Sequence, residues 1–239
     1  MDNSYDQIIP KVGLGTYNMD SRESEFMTYE AIKYGYRHID TAAVYKNEDG
    51  VSRALERIFN ETQLKREDIF ITTKLWPGGL IKLDRVRDYK DTLKSFEKSL
   101  MRLNLEYIDL YLIHSPHGKS KRIEQWKSLM NLKESGKVKY IGVSNWGINH
   151  INELKENNLP LPDANQIEIH PWSQKPELVK YLRKNDIDII AYSSLVPLSS
   201  WRHKDGENSK KTDQMYKIGE SENSPFKLLA QKYNCTEAQ

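Results

Sequence analysis

Cysteine is almost absent from this chain. Cys235 is the single one among 239 residues, so no internal disulfide can staple the fold, and a reducing compartment is expected. Long apolar runs are missing too. None approaches the roughly 20 residues of a membrane-spanning helix. The opening Met1-Asp2-Asn3-Ser4-Tyr5-Asp6 has neither the basic region nor the apolar core of a secretory signal. Neither charge sign is in excess: Lys plus Arg (36) nearly match Asp plus Glu (34), and a net +2 gives no reason to expect nucleic acid or a membrane surface as partner. The glycine fingerprint of a dinucleotide-binding open sheet is also lacking, since Gly13-Leu14-Gly15 comes nearest and has no third glycine. These absences leave a cytoplasmic protein as the expectation and do not bear on oligomeric state.

What is present is a repeated alternation of strand-like and helix-like runs over a single domain, 1–239. Strands are expected at Val12–Tyr17, Tyr36–Asp40, Asp68–Leu75, Tyr107–His114, Val138–Ser144, Ala164–Ile169 and Asp188–Ser193. Helices follow each of them: Ser21–Tyr34 stops at Gly35, Glu48–Phe59 comes next, and Leu93, Phe96, Leu100 and Leu103 share one face of a third. Phe226, Leu229, Ala230 and Tyr233 mark the seventh, after a polar loop at Trp201–Glu222. Seven such units with short links predict an α/β fold of the (β/α)8 TIM-barrel type, with the eighth strand-helix unit missing from this chain. Thr236-Glu237-Ala238-Gln239 has the form of a helix-opening capping box. Short of a stave, strands one and seven should be unpaired edges and the chain marginally stable.

Barrels of this type carry their chemistry at the C-terminal ends of the strands. Those ends hold Thr16 and Tyr17, Asp40, Lys74 with Trp76, His114 with Ser115, Ser144 with Asn145, Gln166, and Tyr192 with Ser193. One polar strand end is unremarkable because loops are exposed. Seven in a row, with Asp, Lys, His and the nearby phenol of Tyr45 among them, point to catalysis. A phenol with a pKa of about 10 transfers protons poorly at neutral pH, and a neighbouring cation such as Lys74 should favour phenolate. Other residues have plainer readings: Asp109 as a mid-strand hydrogen-bond acceptor, and His38, Trp126 and Trp172 as packing groups.

Gly-Leu-Gly-Thr-Tyr at 13–17, His-Ile-Asp-Thr-Ala at 38–42 with Tyr45 and Asn47-Glu48, Thr-Lys-Leu-Trp at 73–76, Asp-Leu-Tyr-Leu-Ile-His at 109–114, Ile-Gly-Val-Ser-Asn at 141–145, Asn-Gln-Ile-Glu at 165–168 and Ala-Tyr-Ser at 191–193 together resemble the aldo-keto reductases of the aldose reductase and diketogluconate reductase type. The resemblance implies reduction of aldehydes and ketones by NADPH, with NADH not excluded, and a small-molecule carbonyl substrate. It implies a tetrad of Asp40, Tyr45, Lys74 and His114. Tyr45 would donate the proton, Lys74 would lower its pKa, Asp40 would hold the lysine, and His114 would orient the carbonyl. Ser144, Asn145 and Gln166 would hold the nicotinamide carboxamide, Tyr192 would stack on its ring, and Ser193 and Leu195 would follow the pyrophosphate. Gly15, Thr16 and Asp40 would complete the cofactor side.

Tyr17, Trp76, His114, Ser115 and Trp146 would line the substrate pocket. Ser115 stands where many relatives have Trp, so that wall should be wider or more polar. The basic loop that grips the 2′-phosphate in relatives, and their C-terminal lid, are not found in this sequence. Two other readings compete. One is a truncated homologue that binds partners or is an unstable fragment. The other is a metal-dependent hydrolase using His38, Asp40, His114 and His170 with Lys74 as a bridge.

Overall fold

The computed structural model describes residues 9–81, 83–195, 214 and 217–238. Seven parallel strands form one sheet in strict chain order: β1 (Leu14–Gly15), β2 (His38–Asp40), β3 (Phe70–Leu75), β4 (Ile108–Ile113), β5 (Val138–Ser144), β6 (Ala164–Glu168) and β7 (Asp188–Tyr192). The sheet curls into a nearly closed barrel of the expected type, with β1 and β7 as its two edges among the described residues. Helices connect successive strands on the outside: α1 (Ser21–Lys33), α2 (Glu48–Glu61), α3 (Tyr89–Leu103), α4 (Arg122–Glu134), α5 (Ile148–Glu156), α6 (Pro176–Lys184), and after β7, α7 (Pro225–Tyr233).

Local chemistry sets the boundaries. Asp20 opens α1 by accepting from the Arg22 and Glu23 backbone amides, while Glu23 reaches back to the Asp20 amide. Gly35, at φ 96°, ends that helix in a conformation that a Cβ would strain. Asp88 caps α3, and Asn104 closes it in the left-handed region. β1 is shorter than the expected Val12–Tyr17 because it pairs with β2 alone, through Leu14 and Gly15. No helix starts at Thr236; residues 236–238 are turn and coil. Most of the polar loop expected over Trp201–Glu222 lies outside the described residues.

Two cores result. The larger fills the space between sheet and helices and includes Ile39, Val51, Ile71, Phe96, Trp126, Val143 and Ile151. The smaller lies inside the barrel, where Ile9 meets Leu110, Leu112 and Ala164. Gly142 makes that interior possible, since a Cβ there would sit 2.5 Å from the Ala164 carbonyl oxygen and 2.7 Å from Leu112. At the opposite end from the strand tips, Asp109 is an acceptor as expected. It takes the Ile71 amide at 2.9 Å and Arg66 at 2.6 Å through Oδ2, and Lys139 at 2.9 Å through Oδ1. His38 bonds Thr72 Oγ1 at 2.9 Å and packs edge-on against Phe70.

Candidate active site

β2 ends at Asp40, β3 carries Lys74 as its penultimate residue, and β4 is followed by His114, so parallel register brings the three to one end of the barrel. Tyr45 comes to the same place on a single turn of 3-10 helix, Ala43–Tyr45. Lys74 is fully buried. Its ammonium donates to Asp40 Oδ1 and, at 3.0 Å, to the Thr41 carbonyl. Gln166 Nε2 donates to the other Asp40 oxygen at 2.7 Å. The carboxylate is thereby held at both atoms, and the buried ammonium has its counter-charge beside it.

Tyr45 Oη lies 3.4 Å from His114 Nε2, and Lys74 Nζ is 5.2 Å from the centre of the phenol ring. Burial pushes the phenol well above its ordinary pKa, and the charge of Asp40 adds to the effect. This corrects the expectation that Lys74 would lower it. The lysine's charge is balanced by Asp40, so desolvation dominates and the phenol stays protonated. Burial, reinforced by the Lys74 charge, lowers His114 to about 3, which makes the imidazole neutral. Its Nδ1 is buried with no hydrogen-bond partner among the described residues, while Nε2 faces Tyr45. The site therefore presents two neutral hydrogen-bonding groups over a buried ion pair.

The walls are aromatic. Tyr17 stands 5.2 Å from Tyr45, and Trp76 meets His114 edge-on at 5.9 Å between ring centres. Trp76 is fixed by its indole N–H, which donates to Asp84 at 2.8 Å. Two expected pocket residues are buried. Trp146 is fully buried, packs against His150 and the Arg122 guanidinium, and belongs to the outer core. Ser115 is 5% exposed and its hydroxyl bonds His117 Nδ1 at 2.8 Å, so it is engaged in its own turn and widens no open wall.

Beside the tetrad, the ends of β5, β6 and β7 form a linked polar cluster. Ser144 Oγ donates to the Gln166 carbonyl at 3.0 Å and accepts from Asn145 Nδ2 at 3.1 Å. Asn145 also reaches the His114 carbonyl at 3.2 Å and accepts from the Tyr192 hydroxyl at 2.8 Å. With its Nε2 on Asp40, Gln166 keeps its amide oxygen to accept. A primary carboxamide, which both donates and accepts, fits this donor set. Thr16 is buried with Oγ1 toward the Asp40 carbonyl at 3.3 Å, while Gly15 and Leu195 are exposed; Ser193 adopts a left-handed backbone, φ 55°. Among the described residues, no group of three His, Cys, Asp or Glu could hold a metal ion, and His170 instead pairs with Glu168 at 3.5 Å.

Asn47 was not assigned a role from sequence, yet it is the joint of the site. Fully buried, it accepts from Thr41 Oγ1 at 2.8 Å and donates to the Thr16 and Met19 carbonyls at 2.8 and 2.9 Å. It clamps both sides of the turn bearing Tyr45. An amide side chain two residues beyond Tyr45 was the available signal.

The sequence profile described as Aldo/keto reductase family matches residues 11–239. The chain belongs to the aldo/keto reductase family. It is 41% identical over 189 residues to glyoxal reductase of Bacillus subtilis, covering 79% of this chain and 64% of that protein. It is 36% identical to methylglyoxal reductase DkgA of Yersinia pestis, covering 98% of this chain and 73% of that protein. The Bombyx mori aldo-keto reductase solved in complex with NADP superposes with a TM-score of 0.78 at 31% identity, covering 96% of this chain and 74% of the other. This aldo/keto reductase chain thus spans about two thirds to three quarters of those relatives' lengths.

Proposed function

We propose that the chain reduces aldehydes and ketones to alcohols, with NADPH as the reductant and Tyr45 as the proton donor. The observation that carries the reading is the meeting of a protonated, half-buried phenol and a neutral imidazole above the Lys74–Asp40 pair. When bound, the nicotinamide supplies hydride to the carbonyl carbon. This chain's residues do the rest. His114 Nε2, as an N–H, points at the position where a carbonyl oxygen would sit beside Tyr45 Oη, and stabilises the charge that grows there. Tyr45 passes its proton to that oxygen, and the phenolate left behind faces the Lys74 ammonium, which favours the charged form only then. Asp40 and the Thr41 carbonyl keep the lysine aimed.

Ser144, Asn145 and Gln166 hold the carboxamide in this reading, and Tyr192 lies against the ring. The names of the relatives make small dicarbonyls such as methylglyoxal a natural first substrate. The test is NADPH oxidation driven by methylglyoxal in wild type and in Tyr45→Phe. Loss of the proton donor should cut turnover by roughly 10² to 10⁴, with NADPH affinity nearly unchanged. A variant that keeps more than half its rate would remove Tyr45 from the mechanism.

A further inference from the structure

The link from β3 to α3 is built as a rigid shelf. Gly78, at φ 77°, lies so close to the Arg85 carbonyl that a Cβ would sit 2.1 Å from its oxygen. The fully buried Gln125 pins the shelf from below, donating to the carbonyls of Pro77 at 3.0 Å and Arg87 at 2.8 Å. Asp84 ties the shelf to the substrate wall, accepting Trp76 through one oxygen and Arg87 through the other at 3.2 Å. Between this shelf and α3 runs a groove of about 710 Å³. Its upper rim is Ala43, Val44 and Trp76, the residues that flank Tyr45 and His114.

The groove carries five cations, Arg85, Arg87, Lys94, Lys98 and Arg102. Three have carboxylate partners: Arg85 pairs with Asp91, Arg87 with Asp84, and Arg102 with the buried Glu48. Lys94 makes no hydrogen bond among the described residues, and its charge acts on Asp91, which Arg85 already holds. Lys98 has no partner among the described residues. Lys94, Lys98 and Arg102 recur every fourth residue, so they fall on one face of α3 and form a stripe of about 12 Å. A concave, apolar-rimmed groove with unmatched positive charge, opening beside a carbonyl site, is complementary to a molecule with a carbonyl at one end and an anion at the other.

We propose that this groove receives the anionic end, a carboxylate or phosphate, of an extended carbonyl substrate, and that Lys94 and Lys98 read it. The proposal rests on the reductase reading and names its substrate class. Chain length matters in it. The anion must lie several bonds from the carbonyl to pass over the Trp76 rim.

The test compares ω-oxo carboxylates of increasing length with their methyl esters, at low ionic strength, in wild type and in Lys94→Ala/Lys98→Ala. Both lysines are exposed on a helix, where alanine is well tolerated. At one chain length the carboxylate should be favoured in kcat/KM by about fivefold, a size suited to two exposed charges. The double variant should lose that preference and keep the rate for the esters, and salt should erase it in wild type. Equal use of acid and ester by wild type, or a preference that survives in the double variant, would overturn the proposal. If neither compound is turned over, the reductase reading fails by itself, and the groove is still decided by tryptophan fluorescence titration with the carboxylate. Binding about fivefold weaker in the double variant would support the groove; equal or absent binding would overturn it. Inorganic phosphate separates substrate tail from free anion. Competition against the carboxylate and not the ester supports a tail site, whereas phosphate binding with no effect on carboxylate turnover overturns it.

Discussion

β4 and β7 are both central to the site, yet they are built differently. Every residue of β4 is buried, while β7 has none buried. The difference follows their surroundings: β4 lies between β3 and β5 under α3 and α4, and β7 among the described residues pairs with β6 alone. The tetrad belongs to the first kind of region. Lys74 is fully buried, with Asp40 and His114 partly buried beside it. The polar cluster beside them straddles both kinds, with Ser144 and Gln166 buried and Tyr192 half-exposed at the edge. Proton-transfer groups need a dry, fixed environment to hold shifted pKa values. A group that only lies against a ring can be supported by one neighbouring strand.

The comparison breaks most sharply at Lys74. Lys74→Met removes the cation that faces the phenolate and leaves Asp40 without its ammonium, so turnover should fall by roughly 10² or more; retention of a tenth of the rate in a steady-state assay would deny the lysine that part. Asn47→Ala comes next. It takes a donor from the Thr16 and Met19 carbonyls and the acceptor from the Thr41 hydroxyl, and denaturant titration should show a loss of about 2–4 kcal/mol. Gly142→Ala tests the packed interior directly: the new methyl meets the Ala164 carbonyl and Leu112, and should cost about 1–3 kcal/mol in the same measurement.

His114 gives a pH test of the closed region. Its folded pKa is depressed to about 3, so the unfolded chain binds the extra proton between there and the ordinary histidine value. The stability tied to its neutral form is therefore full above about pH 6.5 and is lost as pH falls towards 3. Unfolding midpoints should drop more between pH 7 and 5 in wild type than in His114→Gln, because buried His38 contributes equally to both. Parallel lines would mean His114 is not neutralised by burial. The smallest effect is expected at the open edge. Tyr192→Phe loses one hydrogen bond to Asn145, and stability should change by about 1 kcal/mol or less. A larger loss would show that the edge is as tightly coupled as the closed half.

Much of this was legible in the chain. Strand ends announce themselves because buried runs such as Ile108–Ile113 stop abruptly at a titratable residue, and order along the chain then fixes order around the barrel. Distances between those ends were not legible, so the balance between Lys74 and burial at Tyr45 came out opposite to the expectation. A charge acts according to what already neutralises it, and Asp40's second partner, Gln166, is 126 residues away. Ser115 and Trp146 misled for a related reason. Their positions next to His114 and Asn145 indicate proximity in the chain, while a side chain's direction depends on the turn that follows. Asn47 was hidden because its value lies in satisfying backbone atoms, which no side-chain motif displays.

The strict order of the strands also has a consequence for synthesis. Among the described residues each strand pairs only with its neighbours in the order of synthesis, and domains emerge N-terminus first. Asp40, Tyr45, Lys74 and His114 can all be in place once β5 has covered β4, before β6 and β7 are made. The hydrogen bond from Gln166 to Asp40 then arrives late and spans the barrel. It is the point at which the gathered Asp40, Tyr45, Lys74 and His114 first feel a later strand, so a nascent chain that has released β5 but not residue 166 would display the Lys74–Asp40 ion pair with one carboxylate oxygen still open to water.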